Sequence, residues 1–217
     1  SGPIATVTAG VVGSNSGDIN RISGNTVASS SGTERVSMPA LKLKGKASDY
    51  VIRITAEVDG TSFSIDSDPV ALTYGIPSLL TITREASGAR AGLAFDTQAE
   101  LEIRDNSENV VLDSSLVVTA SVNGRTLVGN PTVAASNGLV RYQNSALGIS
   151  GATATGLVVR FATVYNGQVL EDTQTIDLVA GLASQLAMSQ QPTTVVTREP
   201  FATPVSVQLL DQFGNPV

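Results

Sequence analysis

Five consecutive residues, Asp105-Asn106-Ser107-Glu108-Asn109, each carry a side-chain oxygen. Calcium gathers about six to eight oxygens, so such a run is a candidate ligand set. Asp66-Ser67-Asp68 is a second, smaller cluster. The same residue types also build turns, because Asp and Asn side chains accept hydrogen bonds from backbone a few residues on. Gln212 and Phe213 stand 106 positions beyond Asn106 and Ser107, in a stretch otherwise like the first. The oxygen set is therefore not repeated, and turn chemistry is the expected role. Two acidic pairs, Asp66/Asp68 and Glu171/Asp172, could in principle share acid and base duties. They sit in turn-like or strand-edge surroundings beside no pocket-like sequence. The chain has no His and no Cys. That removes Ser-His-Asp and Cys-His arrangements, the usual zinc ligands and disulfides. No catalytic residue, metal ligand or cofactor is expected.

The formal net charge is −6, and the only lysines are Lys42, Lys44 and Lys46. Alternation in this LKLKGK run turns Leu41 and Leu43 inward and Lys42 and Lys44 to solvent. Lysines so placed also discourage sheet-to-sheet pairing. With no basic stripe, nucleic acid is not an expected partner. No apolar run approaches the ~18 residues of a membrane helix, so membrane insertion is not expected. Apolar residues make up 41% and aromatics 4%, so cores must rest on Val, Leu, Ile and Ala. Charged residues are only 15%, with Ser, Thr, Gly and Asn in their place. That mixture suits strands joined by short turns.

The sequence repeats itself. Residues 78–111 lie on 184–217 without a gap, with identities at Ser78/Ser184, Leu80/Leu186, Phe95/Phe201, Thr97/Thr203, Asp105/Asp211, Asn109/Asn215 and Val111/Val217. Residues 26–45 lie on 132–151 at the same shift, with nearly half the positions identical. VIRITAEVDG (51–60) matches VVRFATVYNG (158–167) after a slip of one residue, and Leu72/Leu178 and Gly75/Gly181 restore the shift. The period is about 106 residues. It divides the chain into the later part of one unit (1–75), a complete unit (76–181) and the early part of a third (182–217).

Within the complete unit, short alternating runs are separated by turn signals, and no 3.6-residue period stands out. Strands are expected over 78–84, 94–104, 116–123, 131–136, 139–149, 156–166 and 168–179. Asn123-Gly124, Asn137-Gly138 and Asn166-Gly167 are hairpin markers, since both central residues of a type I′ turn need positive φ. The expected core is Leu80, Ile82, Leu101, Ile103, Val118, Val140, Val159, Phe161, Ile176 and Leu178. Around seven strands in this length is the size of an immunoglobulin-like sandwich. The fold class is therefore all-β, as tandem immunoglobulin-like β-sandwiches with few residues between them.

A unit that opens SQLAMSQQP and continues PFATPVSVQLLDQFGNPV resembles the bacterial immunoglobulin-like repeats of large surface proteins, the intimin/invasin type and the filamin-like repeats of giant adhesins. Asp211, Gly214, Asn215 and Val217 match the family's Asp, then Gly-Asn-x-Val. Asp105, Asn109 and Val111 match in the complete unit, where Glu108 stands in place of the Gly. NGLVRYQNSALGISG resembles a later segment of the family. The resemblance implies an extracellular array on a bacterial surface or appendage, serving as stalk, spacer or adhesive fibre. Its partners would be neighbouring repeats, identical subunits, or a host or surface ligand. Some surface immunoglobulin-like domains join Lys to Asn covalently, but residues 77–181 contain no Lys.

Two alternatives belong to other classes. A carbohydrate- or protein-binding module would present exposed aromatics, with Tyr142 and Tyr165 the cluster to look for. A self-assembling filament would use the partial units, because each leaves an open apolar face. Residues 182–217 of one molecule could then complete 1–75 of the next, head to tail.

Overall fold

The computed structural model describes residues 6–12, 22–23, 26–29 and 35–217. Part of the 26–45 repeat segment (30–34) lies outside them. All regular structure among the described residues is β, apart from one 3-10 turn at Tyr142–Asn144. No helix there is long and apolar enough to cross a membrane. The chain divides into two compact units: Ser1–Ile76 with Asp105–Val111, and Pro77–Arg104 with Leu112–Val217.

The first unit contains β1 (Thr6–Val12), β2 (Ile22–Ser23), β3 (Val27–Ser29), β4 (Lys42–Leu43), β5 (Ser48–Val58), β6 (Thr61–Asp66) and β7 (Val70–Leu72). Its main sheet runs β3-β1-β5-β6, with β7 pairing the start of β5. Asp59-Gly60 closes the β5–β6 hairpin with both residues at positive φ, 49° and 79°. That matches the right-handed strand twist. Lys42 and Lys44 are exposed and Leu41 and Leu43 half-buried, as alternation requires.

The second unit contains β8 (Leu79–Arg84), β9 (Glu100–Arg104), β10 (Val117–Val122), β11 (Leu127–Val128), β12 (Thr132–Ala134), β13 (Leu139–Arg141), β14 (Gly148–Ile149), β15 (Ala154–Tyr165), β16 (Gln168–Leu178), β17 (Gln185–Gln190) and β18 (Ser206–Leu210). One sheet is ordered β13-β9-β8, the other β12-β10-β15-β16, and β11–β14 and β17–β18 are ribbons. Leu80, Leu101, Ile103 and Val140 of the first sheet are buried, as are Val118, Ala120, Val159, Phe161 and Leu178 of the second. The Tyr142 ring meets Phe161 at 5.3 Å between centroids, and its hydroxyl donates to the Val118 and Pro131 carbonyls. The two sheets thus close on a shared apolar layer as a β-sandwich. At the sheet margin, Asp172 Oδ2 accepts from Ile82 N at 2.8 Å, and the Gln174 amide bonds Ala86 N and O.

Several expectations need correction. Ile82 and Ile176 are half-buried, while the other eight expected core residues are buried. The run 94–104 is a strand only from Glu100, because Phe95 and Thr97 bond irregularly to Leu147 and Ser87. The run 139–149 breaks after Arg141 into the 3-10 turn, where Ala146 takes φ 51°. Of the Asn-Gly pairs, 166–167 closes the β15–β16 hairpin with both residues at positive φ. Asn137-Gly138 also has both at positive φ, but there the chain passes from the sheet of β12 to that of β13. At Asn123-Gly124 only the glycine is positive, and the turn leads out of the four-stranded sheet.

Replacing Phe161 by Ala should lower unfolding free energy in urea by about 3–5 kcal/mol through lost burial and a cavity. Val164→Thr, on the exposed side of the same strand, should change it by less than about 0.5 kcal/mol.

Candidate functional site

The acidic clusters separate once their partners are placed. Asp66 forks onto Arg53 at 2.6 and 2.7 Å across the β5–β6 pair. The guanidinium holds that carboxyl below its ordinary range. Ser67 accepts from Ile52 N and donates to the Asp68 carbonyl, ending the strand pairing. Glu171 pairs with Arg160 across the β15–β16 hairpin, while its neighbour Asp172 bonds Ile82 N. Successive strand residues point to opposite faces, so Glu171 and Asp172 do not work on one spot. No group of three or more His, Cys, Asp or Glu converges among the described residues.

The Asp105–Asn109 run forms a different object. Asp105 Oδ1 accepts from Ser107 N at 2.8 Å and Asn109 N at 2.9 Å. Its Oδ2 accepts from Gly75 N at 2.7 Å and Asn109 Nδ2 at 3.0 Å. A carboxylate offers about four lone-pair sites, and all are directed at N–H donors. Asn109 is committed too. Its Nδ2 also donates to the Gly45 carbonyl at 3.0 Å, and its Oδ1 accepts from Ala47 N at 2.8 Å. Asp105 ties the turn to residue 75 and Asn109 ties it to 45–47, all inside the first unit.

The same clamp recurs in the second unit. Asp211 Oδ1 accepts from Phe213 N at 2.8 Å and Asn215 N at 2.9 Å. Its Oδ2 accepts from Gly181 N and Asn215 Nδ2, both at 2.8 Å. Asn215 Nδ2 donates to the Gly151 carbonyl at 3.0 Å, and Oδ1 accepts from Thr153 N at 2.9 Å. Every donor and acceptor stands 106 positions from its counterpart: Gly45/Gly151, Ala47/Thr153, Gly75/Gly181, Ser107/Phe213 and Asn109/Asn215.

Local backbone explains the residue choices. Asp105 N bonds the Asn109 carbonyl and Glu108 N bonds the Asp105 carbonyl; Asp211 N and Gly214 N do the same in the other copy. The residue before the Asn is left-handed in both, Gly214 at φ 81° and Glu108 at φ 60°. Glu108 thus builds the same turn as Gly, although a Cβ there costs energy. Lys46 Nζ lies 3.3 Å from its carboxylate and from its carbonyl. A Cβ on Gly181 would fall 2.4 Å from the Ala91 carbonyl oxygen and 3.4 Å from Asp211 Oδ2. The Ala91 carbonyl, not the carboxylate, leaves no space for a side chain there.

Burial disfavours the charge on Asp211, but the Asn215, Gly181 and Phe213 donors together outweigh it and hold the carboxyl down to about 2. Asp105 shifts downward for the same reasons, with burial again opposing its hydrogen bonds. Four N–H donors on one carboxylate leave no lone pair aimed at a cation. The geometry favours turn chemistry at these Asp residues over calcium ligation.

Two outcomes follow from the clamp. The folded pKa of Asp211 lies below its unfolded value, so its contribution is present above about pH 4 and lost as pH falls through about 2. The difference in unfolding free energy between the native chain and Asp211→Asn should therefore shrink across that window; a constant difference would refute the account. Glu108→Gly should leave the melting temperature unchanged or raise it, because relief of left-handed strain offsets an exposed ion pair worth at most about 1 kcal/mol.

No family model matches the chain, and no curated protein matches it. Two solved structures are similar in part. The surface layer protein SbsC, domains 4–9, is matched over 97% of this chain and 28% of its own, at 11% identity and a TM-score of 0.33. A β-glucuronidase from Parabacteroides merdae is matched over 78% of this chain and 20% of its own, at 11% identity and a TM-score of 0.31. The chain thus spans under a third of the length of either, and at these scores neither likeness bears on function.

Proposed function

We propose that this chain is a segment of a tandem array of immunoglobulin-like β-sandwiches, acting as a non-catalytic stalk or spacer on a bacterial surface or appendage. The units are 1–75, 76–181 and 182–217. The observation that carries the reading is the clamp: six hydrogen bonds in one copy reappear, atom for atom, 106 residues later. An aspartate turn early in one repeat grips the last loops of the repeat before it. In the second copy both parties lie in one compact unit, so residues 182–217 are held against the sandwich. The strand arrangement supports the immunoglobulin-like class, with the first, second and fifth principal strands (β8, β9, β13) in one sheet and β10, β12, β15 and β16 in the other. The surface location rests on the resemblance of the repeat motifs.

The other classes draw less support. Asp66 and Glu171 are held in ion pairs and Asp172 in backbone bonds, and the chain has no His or Cys to supply a nucleophile's base or a thiolate. Tyr142 is buried and Tyr165 half-buried, so they do not form the exposed aromatic platform a sugar-binding module would use.

A stalk must resist extension. Pulling the chain from its ends in a single-molecule experiment should give a distinct force peak followed by release of about 350 Å as residues 77–181 unravel. Smooth lengthening without a peak would refute the mechanical role.

A further inference from the structure

The long hairpin of each unit is closed by the chain at one end only. Asp59-Gly60 joins β5 to β6, and Asn166-Gly167 joins β15 to β16. At the far end the two strands part, and the ladder is already broken there. In the second unit the register shifts between Leu157/Ile176 and Ala154/Leu178, which leaves that last pair beyond a bulge. In the first unit β6 stops at Asp66, and β7 resumes the pairing in a shifted register, from Tyr50/Val70 to Ser48/Leu72. Such a break interrupts the ladder bonds. Pairs outside it gain little support from the ladder inside, and a strand end of this kind can open while the rest stays folded.

The aspartate turn sits across this open end in both copies. Thr153 immediately precedes β15, and Gly181 lies three residues beyond β16. Asn215 Oδ1 accepts from Thr153 N at 2.9 Å, and Asp211 Oδ2 accepts from Gly181 N at 2.8 Å. The two side chains bond each other at 2.8 Å. Ala47 precedes β5, and Gly75 lies three residues beyond β7. Asn109 and Asp105 bridge them in the same way, at 2.8, 2.7 and 3.0 Å. The bridge thus runs from one strand of the hairpin to the other through two side chains. Neighbouring bonds act differently. Val179 exchanges bonds with Ala89 and Ala91, and Arg125 donates to the Ala152 carbonyl. Each of these holds one strand to a third segment.

We propose that the Asp–Asn pair is a latch on the open end of the hairpin, so that the last strand pairing of one repeat opens and closes with the turn supplied by the next. The division into repeats is that of the reading above, and the latch rests on the bonds themselves. Coupling between neighbours then has a direction. The complete repeat supplies the Asp105 turn to the strands before it and receives the Asp211 turn at 151–153 and 181.

The test is hydrogen–deuterium exchange of the 217-residue chain, read segment by segment, in Asn215→Ala and Asn109→Ala. Each variant removes the bridge, while Asp211 or Asp105 keeps its three backbone donors. In Asn215→Ala, exchange should quicken by about tenfold in 154–156 and 177–179, beyond the amide that the Asn touches, and stay native in 158–174. In Asn109→Ala the same rise should appear in 48–50 and 70–72, with 53–66 unchanged. Neither variant should alter the other's hairpin. A rise confined to Thr153 and Gly181, or to Ala47 and Gly75, would overturn the proposal, because the bonds would then close nothing beyond themselves. A rise spread over the whole hairpin would overturn it too, by marking a general loss of stability. Either result leaves the stalk reading standing, since that depends on the force peak.

Discussion

A buried carboxylate saturated by four N–H donors is the constraint around which this chain is organised. An unpaired buried charge is costly, so Asp211 can be inside only because Phe213, Asn215 and Gly181 bring their donors to it. That requirement fixes three things together. The turn after β18 must curl tightly enough to present its own amides. The residue before Asn215 must be left-handed. The chain leaving β16 must come close enough to lay the Gly181 amide on Oδ2, at a place where the Ala91 carbonyl leaves no room for a side chain. Loss of any one leaves the charge under-satisfied, so the parts stand or fall as a set.

The sequence carries this unevenly. The shift of 106 residues singles out Asp105/Asp211 and Asn109/Asn215 as pairs, and Gly75/Gly181 and Gly45/Gly151 as well. It does not show that they touch one another. Their connections run through backbone amides and carbonyls, which every residue has. Oxygen-rich Asp105–Asn109 reads as a turn from the missing repeat of its oxygens, and the donors that fill both carboxylate oxygens show which bonds make it. The long alternating strands are legible because one face is buried. Residues 94–99 and 142–147 are not, because their backbone bonds go to distant partners such as Leu147 and Ala99 instead of a regular ladder. Whether Tyr142 is exposed cannot be read from its neighbours in sequence; it follows β13 into the core and finds carbonyl acceptors there.

The Asn-Gly pairs teach a related lesson. The dipeptide specifies a local backbone path, and that path is followed at 137–138 and 166–167 alike. Which strands it joins is decided elsewhere. At 166–167 the flanking strands are long and pair with each other. At 137–138 Val140 lies opposite Leu101 in β9, so the chain leaves one sheet for the other across residues 135–138.

The clamp makes few demands on the side chains of its neighbours. Only Asp and Asn act through their side chains; the other parties offer main-chain atoms. Ala47 can become Thr153 and Ser107 can become Phe213 with the bond distances unchanged to within about 0.1 Å. A joint of this kind is permissive to drift. The two copies can differ in charge, bulk and polarity at these positions, because the bonds there are made by peptide groups that any residue but proline supplies.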